Sequence, residues 1–214
     1  MSATRKPILP KDVSVDAATR TFFEIIPREL ERVIRDLDEI ALCRAAQLVL
    51  DTESRGGRVH VTGIGKPGHV ATYIAALLSS TGTAATVLDA SEATHGSAGQ
   101  LRDGDVLIAI SNSGGTPELV AALAAATDMG ARIVAVTSSS ESLLAKAAEV
   151  TLLARVEHEG GPLGLEPRAS VLAEILILQA LSVELQARRA FTRADYHLRH
   201  PGGALGKRTR PTSG

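Results

Sequence analysis

The run Ser111-Asn112-Ser113-Gly114-Gly115-Thr116-Pro117-Glu118 follows directly on the apolar segment Val106–Ile110. A strand that ends in such a loop and turns into a helix aims backbone N–H groups and hydroxyls at one point, where the helix dipole favours negative charge. Thr116 suits the N-cap and Pro117 the first helical position. One capped turn accounts for one hydroxyl, but not for Ser111, Ser113 and Thr116 beside two glycines. The loop is a cradle for a phosphate monoester that needs neither metal nor arginine cluster. Its candidate ligands are Ser111, Asn112, Ser113, Gly114 and Thr116, joined by Gly65 from a second glycine loop.

That second loop, Gly63-Ile64-Gly65-Lys66-Pro67-Gly68, also stands between a strand and a helix. Its glycines have the spacing of a dinucleotide fingerprint, with Asp89 roughly where a ribose-binding acid would stand, so that reading stays open. Lys66 follows too closely for a Walker A loop, but it can supply charge to an anion. Glu118 lies in the first turn of its helix, where a carboxylate also complements the dipole. Glu159 precedes Gly160-Gly161-Pro162, a stretch with no helical or strand pattern to explain a carboxylate. It is the preferred proton-shuttling base, with Glu157 as the alternative. His95 and His200 adjoin glycine or proline in loops, as histidines of sites often do. His158 lies between two glutamates, but a chain with one cysteine and no paired histidine spacing points to no metal site and no cofactor.

An alternation of short apolar runs and helical stretches must position these groups. Strands are expected at 59–62, 84–88, 105–110, 132–137 and 150–154, and helices at 70–80, 117–129, 142–148 and 171–186. Such alternation builds right-handed crossovers and a parallel sheet covered on both faces. The expected fold is a three-layer α/β/α sandwich with a mostly parallel five-stranded sheet, flavodoxin-like. Residues 1–55 read as a helical extension: Ile26, Leu30, Val33, Leu37 and Ile40 share one helix face, and Pro27 marks a break or a helix start. Phe22 and Phe23 read as packing anchors, Cys43 as a small core residue, and the part from His200 on as a Gly/Pro-rich basic tail ending in Lys207-Arg208-Thr209-Arg210.

The 214 residues suffice for one full core. Lys+Arg 23 against Asp+Glu 24 leaves no basic excess for nucleic acid. Aromatic residues make up 2%, without tryptophan, so ring stacking is not the binding device. A single cysteine fits a reducing cytoplasm. No apolar leader region and no run of 18 apolar residues is present, so neither export nor a membrane partner is expected.

Together the loops resemble the sugar isomerase (SIS) domain family, which binds phosphosugars. The Ser-x-Ser-Gly-x-Thr-x-Glu run of residues 111–118 carries the resemblance most specifically. Glu92-Ala93-Thr94-His95-Gly96, Glu159-Gly-Gly-Pro162-Leu-Gly-Leu165 and His200-Pro-Gly-Gly-Ala-Leu-Gly206 look like its arabinose-5-phosphate isomerase branch. The resemblance implies an SIS domain over residues 56–210, behind the extension of residues 1–55. It also implies proton transfer between C1 and C2 of a ring-opened sugar phosphate. Lys66, Glu118, Glu159 and His200 would form the catalytic set, with His95 at the site, and Ser111, Ser113 and Thr116 would hold the phosphate. A homotetramer is implied as well, with His200 donated across a subunit boundary. Larger members append cystathionine-β-synthase-type repeats after such a tail, and this chain is expected to be the short form. Two departures bear on the substrate. Pro67 stands where the branch has a serine, and Arg168, Ala169 and Val171 interrupt a Ser/Thr-rich stretch, leaving Ser170. Another pentose or hexose phosphate, such as a hexulose 6-phosphate, or a non-catalytic phosphosugar sensor, are the alternative expectations.

Overall fold

The structure, a computed structural model, describes residues 14–209 apart from the side chains of residues 205 and 207. Residues 1–13 of the expected extension, and Arg210 of the basic tail, lie outside the described residues. Five strands, β1 (Val59–Gly63), β2 (Ala85–Val87), β3 (Val106–Ile110), β4 (Arg132–Thr137) and β5 (Val150–Leu153), form one sheet in the order β2-β1-β3-β4-β5. Every pair is parallel, with Val59 opposite both Ala85 and Val106, and Val106 opposite Arg132. β3, at the centre, is buried along its whole length. Its alternate residues serve two cores: Val106, Ile108 and Ile110 face one layer of helices, Leu107 and Ala109 the other. A strand buried on both faces has no polar side to show, which is why these segments read as unbroken apolar runs.

On the first face lie α1 (Ala17–Arg35), α2 (Glu39–Ser54), α3 (Lys66–Ser80) and α7 (Ala169–Arg188). On the other lie α4 (Ala90–Ala93), a 3-10 turn at Ser97–Gln100, α5 (Pro117–Asp128) and α6 (Leu143–Ala147). The three-layer sandwich is the expected one. α7 is long and apolar enough by composition to cross a membrane, but half of that stretch is buried against its neighbours, so it is the central helix of its layer. At the amino edge of the sheet, Asp105 accepts from the backbone N–H of Arg58 at 2.7 Å and of Arg102 at 2.9 Å, and lies 3.2 Å from His60 Nε2. Burial lowers the pKa of His60, so the ring is neutral there.

The N-terminal reading needs correction in detail. Pro27 sits inside α1 on its exposed side, where the carbonyl left without a donor is close to water. The break falls instead at residues 36–38: Asp36 caps the end of α1, and the Asp38 carboxylate caps α2 through Ala41 N–H. The restart changes helical phase. Ile40 is therefore 74% exposed, and the inner face of α2 is Ala45, Ala46, Leu48, Val49 and Thr52, which leaves Cys43 exposed rather than in the core. Phe22 is half-buried and anchors as expected, whereas Phe23 is exposed. Beyond α7 stand two further helices, α8 (Arg193–Arg199), ahead of the expected tail, and α9 (Gly203–Thr209), within it. α8 opens on a capping box between Thr192 and Asp195, a legible signal in a stretch for which no element was expected.

Candidate active site

The loops leaving the carboxyl ends of the strands line one edge of the sheet, and the switch in strand order falls between β1 and β3. Ligands of open parallel sheets bind in the crevice at that point. The crevice is flanked here by the 63–68 loop and the 111–118 loop.

The 111–118 loop is fastened to the strand and loop behind it by the Ser111 N–H, which donates to the Val136 carbonyl at 3.0 Å, and above all through its own carbonyls. The Asn112 carbonyl accepts from Ser138 N–H at 3.0 Å, Ser138 Oγ at 2.7 Å and Thr137 Oγ1 at 3.1 Å, and the Gly114 carbonyl accepts from Leu144 N–H at 2.9 Å. Gly114 has φ 62°, and a Cβ there would run into the Ser142 side chain, so only glycine lets the loop lie this close to α6. Within the loop, Gly114 N–H donates to Ser111 Oγ at 3.1 Å, and Gly115 N–H to Ser113 Oγ at 3.4 Å. Thr116 occupies the N-cap position of α5, but its hydroxyl does not cap the helix; it lies 3.4 Å from Ser111 Oγ. Two hydroxyls thus converge above the opening turn of α5, whose first N–H groups have no intrahelical acceptor. Glu118 stands exposed in that turn. The serines behind the loop, Ser138 and Ser142, are the supports that sequence reasoning missed; the hydroxyl-rich stretch after β4 was their signal.

In the neighbouring loop Gly65 is the N-cap of α3, with φ 66°, and Lys66 is the first residue of the helix, exposed at the crevice. Pro67 falls in that first turn, where a missing N–H costs no intrahelical bond. Gly63 and Gly68 let strand and helix touch: a Cβ on Gly63 would stand 2.8 Å from the Pro67 carbonyl, and one on Gly68 would stand 2.9 Å from the Gly63 carbonyl oxygen. The glycine spacing therefore has a packing explanation. Asp89, the would-be ribose ligand, caps α4 by accepting from Ser91 N–H at 2.8 Å and Glu92 N–H at 3.3 Å. The dinucleotide reading loses its acid. His95 follows α4 at the same edge and is exposed.

Glu159 and Glu157 are held differently. Glu159 Oε2 accepts from Arg168 N–H at 2.7 Å and Ser170 N–H at 3.0 Å, so this carboxylate sits on the N-terminus of α7. Both bonds use one oxygen, leaving Oε1 for chemistry. Glu157 instead pairs with Arg32 at 2.7 Å, and its N–H donates at 2.8 Å to buried Glu29, so α1 clamps the segment that leads to Glu159. Arg168 is the N-cap residue of α7, which begins two residues before the expected helix. Its side chain lies 3.8 Å from Glu166 and lines a cavity of about 210 Å3 with Thr19, Phe22, Gly161 and Pro162. One turn into α7, Glu174 is 1% exposed and neither carboxylate oxygen has a partner; burial, then the charge of Glu159, pushes its pKa up to about 7. Glu29, Arg32 and Glu174 gave no sequence signal, because a charged residue within an amphipathic or apolar helix reads as solvent-facing.

His200 is not brought to this edge. α7 starts beside Glu159, and its 20 residues run about 30 Å back across the sheet. Arg189, just past its end, donates to Thr83 Oγ1 at 2.7 Å before β2, and the Phe191 ring packs on Gly82. From there to His200 the chain has only the 7 residues of α8, about 10 Å of helix. The His200 ring stacks on Tyr196 with centroids 3.9 Å apart, and its Nδ1 lies 3.0 Å from the Tyr196 carbonyl oxygen, which turns Nε2 outward as the available nitrogen. Lys66, Glu118, Glu159, His95 and the 111–116 loop share one edge, and His200 lies at the other.

A family model, the SIS domain, matches residues 54–183. Arabinose 5-phosphate isomerase KdsD of Pseudomonas aeruginosa is 45% identical over 152 residues, 71% of this chain and 47% of that protein. The chain thus spans about half the length of the curated relatives it matches. Among solved structures, an Escherichia coli CFT073 protein in complex with arabinose 5-phosphate is 34% identical with a TM-score of 0.77, covering 86% of this chain and 95% of that one. A Listeria monocytogenes protein described as a candidate sugar-phosphate isomerase is 26% identical with a TM-score of 0.81, covering 88% and 100%. The sheet order, the hydroxyl-lined loop after β3 and these matches agree, and the chain belongs to the SIS domain family.

Proposed function

We propose that this chain is a phosphosugar aldose–ketose isomerase that interconverts D-arabinose 5-phosphate and D-ribulose 5-phosphate. The observation that carries the reading is the 111–116 loop. It is tied down by its carbonyls while the hydroxyls of Ser111 and Thr116 converge on the α5 N-terminus, beside Lys66 and at the edge that carries Glu159. Ser111, Asn112, Ser113, Gly114, Thr116 and Gly65 hold the phosphate. With the sugar opened, Glu159 removes the proton from C2, the O2 hydroxyl proton moves to O1, and Glu159 returns its proton to C1. Lys66 steadies the negative enediolate, and Glu118 and His95 relay the hydroxyl proton. No metal or other cofactor is needed for these steps.

His200 serves ring opening from a neighbouring subunit, in a homotetramer with its sites at subunit boundaries. The distance of His200 from the site of its own chain supports this arrangement. Residues 56–210 form the phosphosugar-binding domain and residues 1–55 the helical extension, whose Glu29 steadies the catalytic segment. A phosphorylated substrate and an exposed free thiol at Cys43 favour the cytoplasm. Arg168 is the side chain through which a different sugar phosphate would be preferred. A coupled assay over pentose and hexose phosphates tests the reading: turnover is expected first with arabinose 5-phosphate. Thermal stabilisation by a sugar phosphate, with no turnover of any of them, would make the protein a sensor and overturn it.

A further inference from the structure

Behind Glu159 the N-terminal turns of α7 hold polar groups that phosphate binding and proton transfer do not use. Ser170 N–H donates to Glu159 Oε2, yet Ser170 Oγ is buried without a partner. Four residues on, along the same helix face, Glu174 is buried with both carboxylate oxygens unpartnered. A carboxylate so placed is costly when charged, and among the described residues no cation pairs with it. The helices packed on α7 supply none. Arg32 on α1 pairs with Glu29 and Glu157, Glu53 on α2 pairs with Arg189, and Lys66 and His69 on α3 are exposed. The remaining charged side chains of α1 and α2 are exposed or, for Asp51, bonded to Gln47. Burial, and after it the negative charge of Glu159, keep the Glu174 carboxyl protonated to higher pH.

We propose that Glu174 is a charge-coupled positioning residue for Glu159: once ionised, it opposes the negative charge on Glu159 and so drives Glu159 to take the substrate proton. The role rests on the isomerase reading above. Like charges in a poorly solvated site oppose one another, and the ionisation of Glu174 is the one this repulsion holds back. When Glu159 accepts the C2 proton, its charge moves to the enediolate and the repulsion by ionised Glu174 is relieved. Glu174 touches neither sugar nor phosphate in this scheme; its own proton is exchanged with solvent before the reaction, as pH rises through about 7.

Two measurements decide the matter. With arabinose 5-phosphate, kcat of the unaltered protein is expected to rise several-fold between pH 6 and pH 8 at constant KM. Glu174→Gln, which keeps the shape and removes the ionisation, should abolish the rise and hold kcat at its low-pH level. A Glu174→Gln protein that folds and keeps the rise overturns the proposal. The second measurement needs neither turnover nor that variant: carboxyl-carbon NMR of glutamate-labelled protein should show Glu174 titrating near neutrality. Its midpoint should move to lower pH in Glu159→Gln, and a midpoint that stays in place overturns the coupling. Absence of turnover with every sugar phosphate would remove the isomerase reading and with it the catalytic role, while the titration still decides whether the two charges are coupled.

Discussion

Glu157 and Glu159 stand two residues apart, and their partners assign them different work. Glu157 spends its carboxylate on an exposed pair with Arg32, whereas Glu159 keeps one oxygen free at a helix N-terminus. Glu159→Gln is therefore expected to lower kcat by about 10²–10⁴-fold while KM moves little. Glu157→Gln removes one exposed ion pair and should change kcat by less than about fivefold; steady-state kinetics on the two variants, side by side, reads the difference. Glu174 makes a separate prediction about stability. Its folded pKa of about 7 lies above the usual 4.5, so its contribution is fully present below pH 4.5 and is lost as pH rises through 7. The loss is on the order of 3 kcal/mol. Denaturant melts across that range should show the slope in the unaltered protein and not in Glu174→Gln. Glu159 was legible in the sequence because glycines and a proline surround it. Glu174 was not, since only the packing of α1, α2 and α3 around α7 turns a polar position of that helix inward.

At the scale of elements, the segment between β5 and α7 that carries Glu159 has no regular structure of its own and borrows its shape from neighbours. α7 offers two N–H donors to Glu159, and α1 offers Glu29 to Glu157 N–H. Glu29→Ala leaves that N–H without its acceptor, while Arg32 keeps Glu157, and should cost about 1–3 kcal/mol in unfolding free energy. Because the same contact holds the segment before Glu159, kcat should fall in the same variant even where it is fully folded. A variant that loses stability but keeps kcat would free α1 of any part in shaping the site. The strands were legible from their apolar runs, since burial on both faces leaves no other pattern. The α1–α2 break was not: two helices of continuous amphipathic character look like one until the phase shift at residues 36–38 is seen. α8 carried a capping box, but its seven residues are too few for a hydrophobic period to show.

For the whole molecule, the decisive fact is that the length of α7, about 30 Å, exceeds the stretch of α8 by which the chain could return from its end to Glu159. A single chain cannot bring both to one sugar, and the proposed assembly closes that gap with a second copy. Two variants inactive for different reasons, Glu159→Gln and His200→Gln, should therefore regain part of their activity when unfolded together and refolded as mixed assemblies. No recovery from a mixture that has assembled would return His200 to a structural part. The family motifs told which residues to gather, but not which chain supplies each, because a motif records neither the direction of a helix nor its length. The central claim is isomerisation itself. The purified chain, incubated with D-arabinose 5-phosphate and followed by proton NMR, should form D-ribulose 5-phosphate until the two reach equilibrium, and the Glu159→Gln protein should not. A folded protein that leaves arabinose 5-phosphate unchanged, or a Glu159→Gln variant that converts it at the unaltered rate, would contradict the account.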